Sequence, residues 1–366
     1  MIDRRLFTNF DWTLFSLILI ISSLGVFNIF SAAASYGVVT TPYFVKQIYW
    51  ILAGLSLVIM VCSFDYHILE DVAFWFYGVV LFLLVVVLFF GKTSMGATRW
   101  LNLGLFSLQP SEPVKIVIVM AYARFFSRYP LPRGLTLRDL FYPALLLGGP
   151  ALLIMKQPDL GTAILIVLIA CSMLIYVGLR WTTVVTVVLA TLPSVYLAWH
   201  HVLRDYQRNR ILNFLDPERD PLKSGYHLIQ SKIAVGSGGV TGKGYLQGTQ
   251  AQLHFLPEQH TDFAFSVFAE EWGFLGCMVV LFLYMFLILW GLQIASRCND
   301  RFGSLMAVGV TAMLFWHVVI NMGMVIGLFP VVGVPLPFFS YGGTSMVTSM
   351  VGVGILLNIS MRRFMF

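Results

Sequence analysis

The sequence is poor in charged residues. Only 11% of its 366 residues are Asp, Glu, Lys or Arg, whereas soluble globular domains carry about 25%. This shortage excludes an ordinary soluble enzyme. Apolar residues are correspondingly abundant: 58% of the residues are hydrophobic, and the mean hydropathy is +0.84. Most of these residues fall in runs of about 20, which is the length that an α-helix needs to cross a bilayer.

Cysteine is also scarce, and its spacing excludes two classes of small scaffold. None of the four cysteines forms a CxxC pair and three lie inside apolar runs, so neither a disulfide framework nor a zinc cluster is predicted. We expect them to be packing residues. They are Cys62, Cys171, Cys277 and Cys298. The net charge of +6 is dispersed between apolar runs, which favours membrane topology and contact with anionic lipid over nucleic-acid binding.

The apolar runs predict an all-α polytopic membrane protein with ten transmembrane helices in a single domain, residues 1–366. The helices are expected near residues 12–33, 47–63, 72–90, 111–127, 140–156, 159–177, 181–200, 262–294, 305–328 and 338–359. The longest segment outside them runs from about 201 to 261, between helices 7 and 8. No separate soluble catalytic domain fits into the chain.

The Lys and Arg content of the short loops predicts the orientation, because cytoplasmic loops hold the excess of these residues. One side collects eleven basic residues: Arg4, Arg5, Arg124, Arg128, Arg133, Arg138, Arg180, Arg297, Arg301, Arg362 and Arg363. The other side collects four: Lys46, Lys92, Arg99 and Lys156. Both termini are therefore expected in the cytoplasm, with the loop at 201–261 on the extracytoplasmic side.

The long loop contains a glycine-rich segment, residues 236–244. It departs from a nucleotide-binding P-loop, because Ser237 replaces a required glycine and Gly244 replaces the Ser or Thr that follows the lysine. Two interpretations remain open: a plain turn, or a turn whose backbone amides face a phosphate.

Ionisable residues within apolar runs are costly, so each is a functional candidate. Glu112 and Lys115 lie three residues apart on one helix face. They form either a structural ion pair or, with Lys92 and Arg99, a cationic wall for an anionic lipid headgroup. Trp100, next to Arg99, is either a sugar-stacking residue or an interfacial anchor.

The eighth predicted helix carries a polar stripe in which Asp262, Ser266 and Glu270 recur every four residues. Asp262 is either an acid that favours the helix dipole or a general base, strengthened by partial desolvation at the membrane boundary. Asp159 is either a helix cap or a functional carboxylate.

Several segments resemble the SEDS family (shape, elongation, division and sporulation), in order and nearly from end to end. They are Trp100 with 109–112 (QPSE), 157–162 (QPDLGT), 205–208 (DYQR), 226–231 (YHLIQS), 256–263 (LPEQHTDF) and 335–343 (PLPFFSYGG). The segments at 230–234 and 248–250 are nearer to the rod-shape branch than to the division-specific branch. Two departures are Gln259, where relatives often carry Arg, and Pro113 after Glu112.

The resemblance implies ten transmembrane helices and a peptidoglycan glycosyltransferase in the bacterial inner membrane. Such an enzyme polymerises lipid II into glycan on the periplasmic side, with a class B penicillin-binding protein and other elongation-complex membrane proteins as partners. The essential aspartate of the family falls on Asp262, and the implicated tryptophan falls on Trp100.

The residues are compatible with that chemistry, with Asp262 as the catalytic base. The expected substrate-binding residues are Arg99, Trp100, Glu112, Lys115, Asp159, Arg208, Arg210, Lys243, Glu270 and Ser340. Mg²⁺ or Mn²⁺, held by Asp262 and the substrate pyrophosphate, is the expected cation, and no organic cofactor is expected. Two rival functions are a lipid II flippase and a scaffold that only activates its penicillin-binding partner.

Overall fold

The structure is a computed structural model. It describes residues 9–34, 42–94, 97–102, 104, 107–129, 134–203, 205–216, 224–253, 255–256 and 258–363. Three of the basic residues used to predict the orientation, and one residue of the quoted motifs, lie outside this part of the chain. They are Arg4, Arg5, Arg133 and Pro257.

The described residues form thirteen α-helices and a small sheet. The helices are α1 (Trp12–Ala34), α2 (Tyr43–Ser63), α3 (His67–Phe90), α4 (Ser111–Arg128), α5 (Phe141–Lys156), α6 (Leu160–Val177), α7 (Trp181–Leu197), α8 (Asp205–Leu215), α9 (Ser224–Ser237), α10 (Thr249–Gln252), α11 (Ala264–Arg297), α12 (Arg301–Val325) and α13 (Gly343–Arg362). A π-helical turn, Ala198–Val202, follows α7. An all-α fold is therefore confirmed as the dominant architecture.

Each of the ten predicted helices has a counterpart, and eight of these are long and apolar enough to cross a membrane. The eight are α1, α2, α3, α6, α7, α11, α12 and α13. Of the remaining two, α5 is short and α4 carries one acidic and three basic residues. The chain is thus a multi-pass membrane protein, and the count of ten spans stays a prediction.

Two helix starts differ from the prediction in ways that affect the candidate site. Helix α11 begins at Ala264, so Asp262 lies in the preceding turn and the predicted stripe continues on the helix only through Ser266 and Glu270. Helix α13 begins at Gly343 rather than near 338. Phe338, at the predicted start, has φ of 64°, and this left-handed conformation is outside the range of a right-handed helix.

The sheet was not predicted from the sequence. Strands β1 (Lys92–Ser94), β2 (Ala97–Asn102) and β3 (Ser107–Leu108) form an antiparallel sheet in the order β1-β2-β3. Such short strands carry too little alternation to stand out against the apolar runs on either side. The sheet lies between α3 and α4 in the chain and carries both Arg99 and Trp100.

The chain divides into two compact units. Unit 1 comprises residues 1–63, 210–293 and 314–362, and unit 2 comprises residues 64–209, 294–313 and 363–366. Both units are therefore assembled from segments that are distant in the chain.

Unit 1 is held together by close helix packing and by hydrogen bonds to a half-buried carboxylate. Helices α2 and α13 lie close together, since a Cβ on Gly54 would come within 2.6 Å of Met350 Cγ. Asp11 caps the backbone of α1 and accepts hydrogen bonds from Trp290 (2.8 Å) and Ser360 (3.1 Å). This one carboxylate thus ties together α1, α11 and α13.

Unit 2 is packed around α4. Helices α4, α6 and α12 meet where Gly309 lies against Val119 and Met173. The Tyr122 hydroxyl donates to the carbonyl of Pro143 at 2.7 Å and so links α4 to α5. The four cysteines of the chain are free thiols, of which three are half-buried and Cys171 is exposed.

Candidate active site

In unit 1, Asp262 lies in the turn that precedes α11. The side-chain amide of Asn321, which is buried on α12, donates to the Asp262 carbonyl at 2.9 Å and to the Val334 carbonyl at 2.7 Å. This amide therefore holds the Asp262 backbone against the segment that leads to α13. Gly333 lies beside the carboxylate, because a Cβ at that position would come within 3.3 Å of Asp262 Oδ2.

The histidine of α9 lies next to this turn. The ring of His227 is nearly parallel to that of Phe263, with 6.3 Å between ring centroids and 9° between planes. Burial lowers the pKa of His227; Glu258 opposes the shift and Arg210 adds to it. Arg210 and Glu258 thus share the surroundings of His227, close to the turn that carries the candidate base.

The predicted substrate residue Ser340 belongs to the segment before α13. Its buried hydroxyl accepts a hydrogen bond from the Leu336 amide at 3.1 Å, and its carbonyl accepts one from Gln47 at 3.1 Å. The next residue, Tyr341, donates its amide to the His260 carbonyl at 2.9 Å. The Ser340 side chain therefore stabilises its own turn, and this turn is anchored to the segment that carries the candidate base.

Glu270 and Lys243, both predicted to bind substrate, are paired with each other. The Lys243 ammonium lies 2.6 Å from Glu270 Oε1, and the Glu270 side chain is fully buried. The same carboxylate accepts hydrogen bonds from the Thr249 hydroxyl at 3.0 Å and from the Gln250 amide at 3.1 Å. Glu270 thus joins α11 to the first turn of α10. A structural role accounts for these contacts, and the role in substrate binding stays a prediction.

The glycine-rich segment packs against a break in α11. Gly273 has φ of 64° and interrupts the helix, and glycine adopts such a conformation without steric cost. The amides of Lys243 and Gly244 donate to the carbonyls of Glu270 and Glu271, each at 3.0 Å. These two amides are therefore occupied by carbonyls, which favours the plain turn over a phosphate-binding loop.

In unit 2, Asp159 brings together two of the quoted motif segments. Its carboxylate caps α6 through the Thr162 amide (3.3 Å) and accepts from the Thr162 hydroxyl (3.0 Å). It also accepts from Gln109 and Ser111, each at 3.3 Å. The helix cap is thus confirmed, and the hydrogen bonds join the segment at 109–112 to the segment at 157–162.

Arg99 lies beside this carboxylate without making a close ion pair. Its Nη1 atom is 3.8 Å from Asp159 Oδ1, and its Nη2 atom donates to the carbonyl of Pro158. Its buried Nε has no hydrogen-bond partner among the described residues. Trp100 follows it on β2, half-buried, and pairs with Lys92 on β1.

The remaining candidate cations of unit 2 occupy two different settings. Lys115 and Glu112 are both buried and form an ion pair of 2.8 Å, as their spacing predicts. Arg208 on α8 donates to the carbonyl of His200 at 2.9 Å and lies 3.7 Å from the exposed carboxylate of Asp205. Arg208 thus links α8 to the turn that follows α7.

The described residues contain no group of three or more His, Cys, Asp or Glu side chains that could hold a metal ion. A divalent cation at Asp262 would therefore need other ligands, such as water and the phosphate oxygens of a bound substrate. Mg²⁺ accepts such an arrangement, because it commonly binds one or two carboxylates together with phosphate oxygens and water.

Residues 11–364 match the sequence profile of the cell cycle proteins FtsW, RodA and SpoVE. The chain belongs to the FtsW/RodA/SpoVE family. It is 45% identical over 320 residues to the peptidoglycan glycosyltransferase MrdB of Escherichia coli K12, covering 87% of this chain and 86% of that protein. It is 33% identical to the peptidoglycan glycosyltransferase RodA of Treponema pallidum, covering 97% of this chain and 98% of that one.

Two solved structures share the fold of this FtsW/RodA/SpoVE protein. One is a chain of a peptidoglycan synthase complex, with a TM-score of 0.84, 32% identity and coverage of 98% of this chain and 99% of that chain. Another is the rod shape-determining protein RodA of Thermus thermophilus, with a TM-score of 0.72, 29% identity and coverage of 97% and 98%.

Several contributors to the site were missed in the sequence. Asn321 is an amide inside an apolar helix, and the cost of burying it without a partner could have marked it as a candidate. Gln109, Ser111 and Thr162 were noted only as members of the quoted motif segments, and their hydrogen bonds to Asp159 depend on the tertiary structure.

Proposed function

We propose that this protein joins lipid II disaccharides into glycan strands, with Asp262 as the general base. Family membership makes it a peptidoglycan glycosyltransferase of the cell-elongation type, since the relatives that are 45% and 33% identical carry that activity in their names. The position of Asp262, in an anchored turn immediately before a membrane-spanning helix, is the observation that carries the assignment of the base.

The reaction requires one base and no general acid. Asp262 takes the proton of the acceptor GlcNAc 4-hydroxyl while the oxygen of that hydroxyl attacks the anomeric carbon of the donor MurNAc. The bond from that carbon to the phosphate oxygen breaks, its electron pair leaves with the lipid pyrophosphate, and the new glycosidic bond has inverted configuration. The pyrophosphate is a stable anion, so its departure needs no protonation, unlike the leaving group in glycoside hydrolysis.

Arg99 is the best supported of the cations proposed to stabilise the pyrophosphate charge. Its Nε is buried without a partner among the described residues, and its contact with Asp159 is long. Guanidinium groups also match phosphate geometry well. Arg99 therefore keeps donors that an anionic substrate can use.

Arg208, whose Nε is likewise buried without a partner among the described residues, and Arg210 are further candidates for the pyrophosphate, and Trp100 would stack on a sugar. Lys115 is a weaker candidate, because Glu112 already neutralises its charge.

Location, partners and cation form part of the same proposal. The apolar runs support ten spans, and the excess of Lys and Arg on one side supports both termini in the cytoplasm and a site on the periplasmic face of the inner membrane. A class B penicillin-binding protein is the proposed partner, since a structural relative belongs to a peptidoglycan synthase complex. Bound Mg²⁺ or Mn²⁺ would supply additional neutralisation of the pyrophosphate.

The test compares Asp262→Asn with Asp216→Asn in a polymerisation assay with lipid II and the partner protein. Asp216 is an exposed aspartate of the same loop, so it controls for a loss of surface charge. We expect glycan from the native chain and the control, and a loss of at least about a hundredfold in rate for Asp262→Asn, the lower range for general-base catalysis. Retained polymerisation in Asp262→Asn would show that the base is another group.

The same assay separates the rival functions. A scaffold would leave polymerisation unaffected by Asp262→Asn provided that partner binding is intact, which co-purification measures. A flippase would move labelled lipid II between the leaflets of a vesicle without making glycan, so transport in the absence of polymer would overturn the proposal.

A further inference from the structure

A groove runs between α3 and α5 of unit 2, with a volume of about 490 Å³. This volume is within the range of about 300–1,000 Å³ that is typical of small-molecule sites. The walls are apolar, and two of their side chains, Phe82 and Leu152, are more than 60% exposed, so the groove is open to the surroundings of the helices. The walls are formed by Leu81, Phe82, Val85, Leu152 and Leu153.

Two hydrogen bonds, one toward each end of the groove, join α3 to the α5 segment. The Tyr77 hydroxyl on α3 donates to the carbonyl of Leu146 on α5 at 2.9 Å. At the other end of α5, the buried amide of Gln157 donates to the carbonyl of Leu84 at 2.8 Å. Between these two hydrogen bonds Gly149 contributes no side chain, so a space remains where another residue would fill it.

A single cation marks one end of the groove. Lys156, the last residue of α5, lines it and is exposed, and no ion pair of this lysine occurs among the described residues. Two residues further on, the carbonyl of Pro158 accepts a hydrogen bond from Arg99, the cation assigned above to the pyrophosphate. The Lys156 end of the groove thus lies two residues along the chain from the backbone that Arg99 contacts.

These features indicate a lipid with a long chain and an anionic head. Lipid tails surround a membrane protein, so burial of apolar surface alone gives no preference for this groove. A preference has to come from close packing against rigid walls and from the attraction between Lys156 and a phosphate. We propose that the groove binds the isoprenoid chain of the lipid pyrophosphate substrate, with Lys156 next to its phosphate. This inference rests on the proposed function.

Two neighbouring glycines provide a matched pair of variants. A Cβ on Gly149 would meet the Tyr77 hydroxyl at 3.4 Å and Leu81 at 3.9 Å, which are ordinary contacts, so Gly149→Leu fits the backbone and fills the groove. A Cβ on Gly148 would meet nothing within 4 Å. Gly148→Leu therefore adds the same side chain to the same helix and leaves the groove open.

The experiment measures KM in nanodiscs of zwitterionic lipid for lipid II with an undecaprenyl chain and with a farnesyl chain, using the full chain with its penicillin-binding partner. We expect the native chain and Gly148→Leu to prefer the long chain. Gly149→Leu should lose this preference and retain turnover of the short-chain substrate. Lys156→Gln should raise KM for both substrates about fivefold, the effect of one lysine near an anionic lipid surface.

An unchanged preference in Gly149→Leu would overturn the groove proposal while leaving the polymerase intact. Should Gly149→Leu not fold, Leu152→Trp obstructs the groove from an exposed position and replaces it.

If the native chain makes no glycan from either substrate, the proposed function fails first. Labelling of α3 and α5 by a photoreactive isoprenyl phosphate then tests the groove by itself, and equal labelling of Gly148→Leu and Gly149→Leu contradicts it. Labelling by an anionic phospholipid probe in preference to the isoprenoid would also contradict it.

Discussion

Two buried carboxylates, Glu270 in unit 1 and Asp159 in unit 2, are built alike and differ in their cations. Each accepts hydrogen bonds from side chains and from a backbone amide in the first turn of a helix. The Lys243 ammonium contacts Glu270 at 2.6 Å. The Arg99 guanidinium lies 3.8 Å from Asp159 and has a buried donor that no described residue satisfies.

This difference distinguishes a structural cation from a ligand-binding one. A lysine in direct contact with a fully buried carboxylate has its charge neutralised, and separating the two groups would be costly. An arginine that is held by a carbonyl and only loosely by a carboxylate keeps donors for an anion. The sequence predicts the same role for both cations, so experiments on each of them test whether the distinction is real.

The largest expected effect is on stability in unit 1. Glu270→Ala leaves Lys243 without its partner and the Gln250 amide without its acceptor, so we expect a loss of about 3 kcal/mol in unfolding free energy. Asp159→Ala removes a helix cap and should cost about 1 kcal/mol. Thermal unfolding in detergent measures both. Equal losses would contradict the distinction, and Lys243→Met combined with Glu270→Gln should recover part of the stability.

The second effect is on substrate binding in unit 2. Arg99→Gln should raise KM for lipid II about tenfold or more, the value of a hydrogen bond to a charged group. It should change the unfolding free energy by less than about 1 kcal/mol, since a loose and partly exposed ion pair contributes little. Lys243→Gln should show the reverse pattern, with lower stability and an unchanged KM. The same pattern in both variants would show that the pairing distance carries no functional information.

The smallest effect is a dependence of stability on pH near the Asp262 turn. Burial, with Arg210, keeps the folded-state pKa of His227 below 6.5, its value in the unfolded chain. The unfolded chain therefore binds this proton more readily. The contribution of neutral His227 to the free energy of unfolding is fully present above about pH 6.5 and is lost as pH falls toward the folded-state pKa. Burial lowers the pKa of His260 in the same direction. In His227→Gln, the free energy of unfolding should decrease less as pH falls through this range. A pH profile identical to that of the native chain would contradict the prediction.

The helical elements were predictable from the sequence, and their ends were less so. The apolar runs of about 20 residues are a strong signal, because lipid offers no hydrogen bonds to a backbone that is not helical. The start of α11 at Ala264 rather than 262 was missed, because the turn before it is stabilised by contacts such as the hydrogen bond from Asn321, which is distant in the chain. The sheet was missed because its strands of two to six residues carry too little alternation to stand out against the neighbouring apolar runs.

Composition and short motifs were enough to establish the membrane class, the helical character, the family resemblance and the candidate base. The spacing of Glu112 and Lys115 also predicted an ion pair, but the pairing of charges that are distant in the chain depended on the tertiary structure. It paired Lys243 with Glu270 across 27 positions and left Arg99 at a distance from Asp159. Pairing energies depend on separation and on burial, and a linear sequence specifies neither.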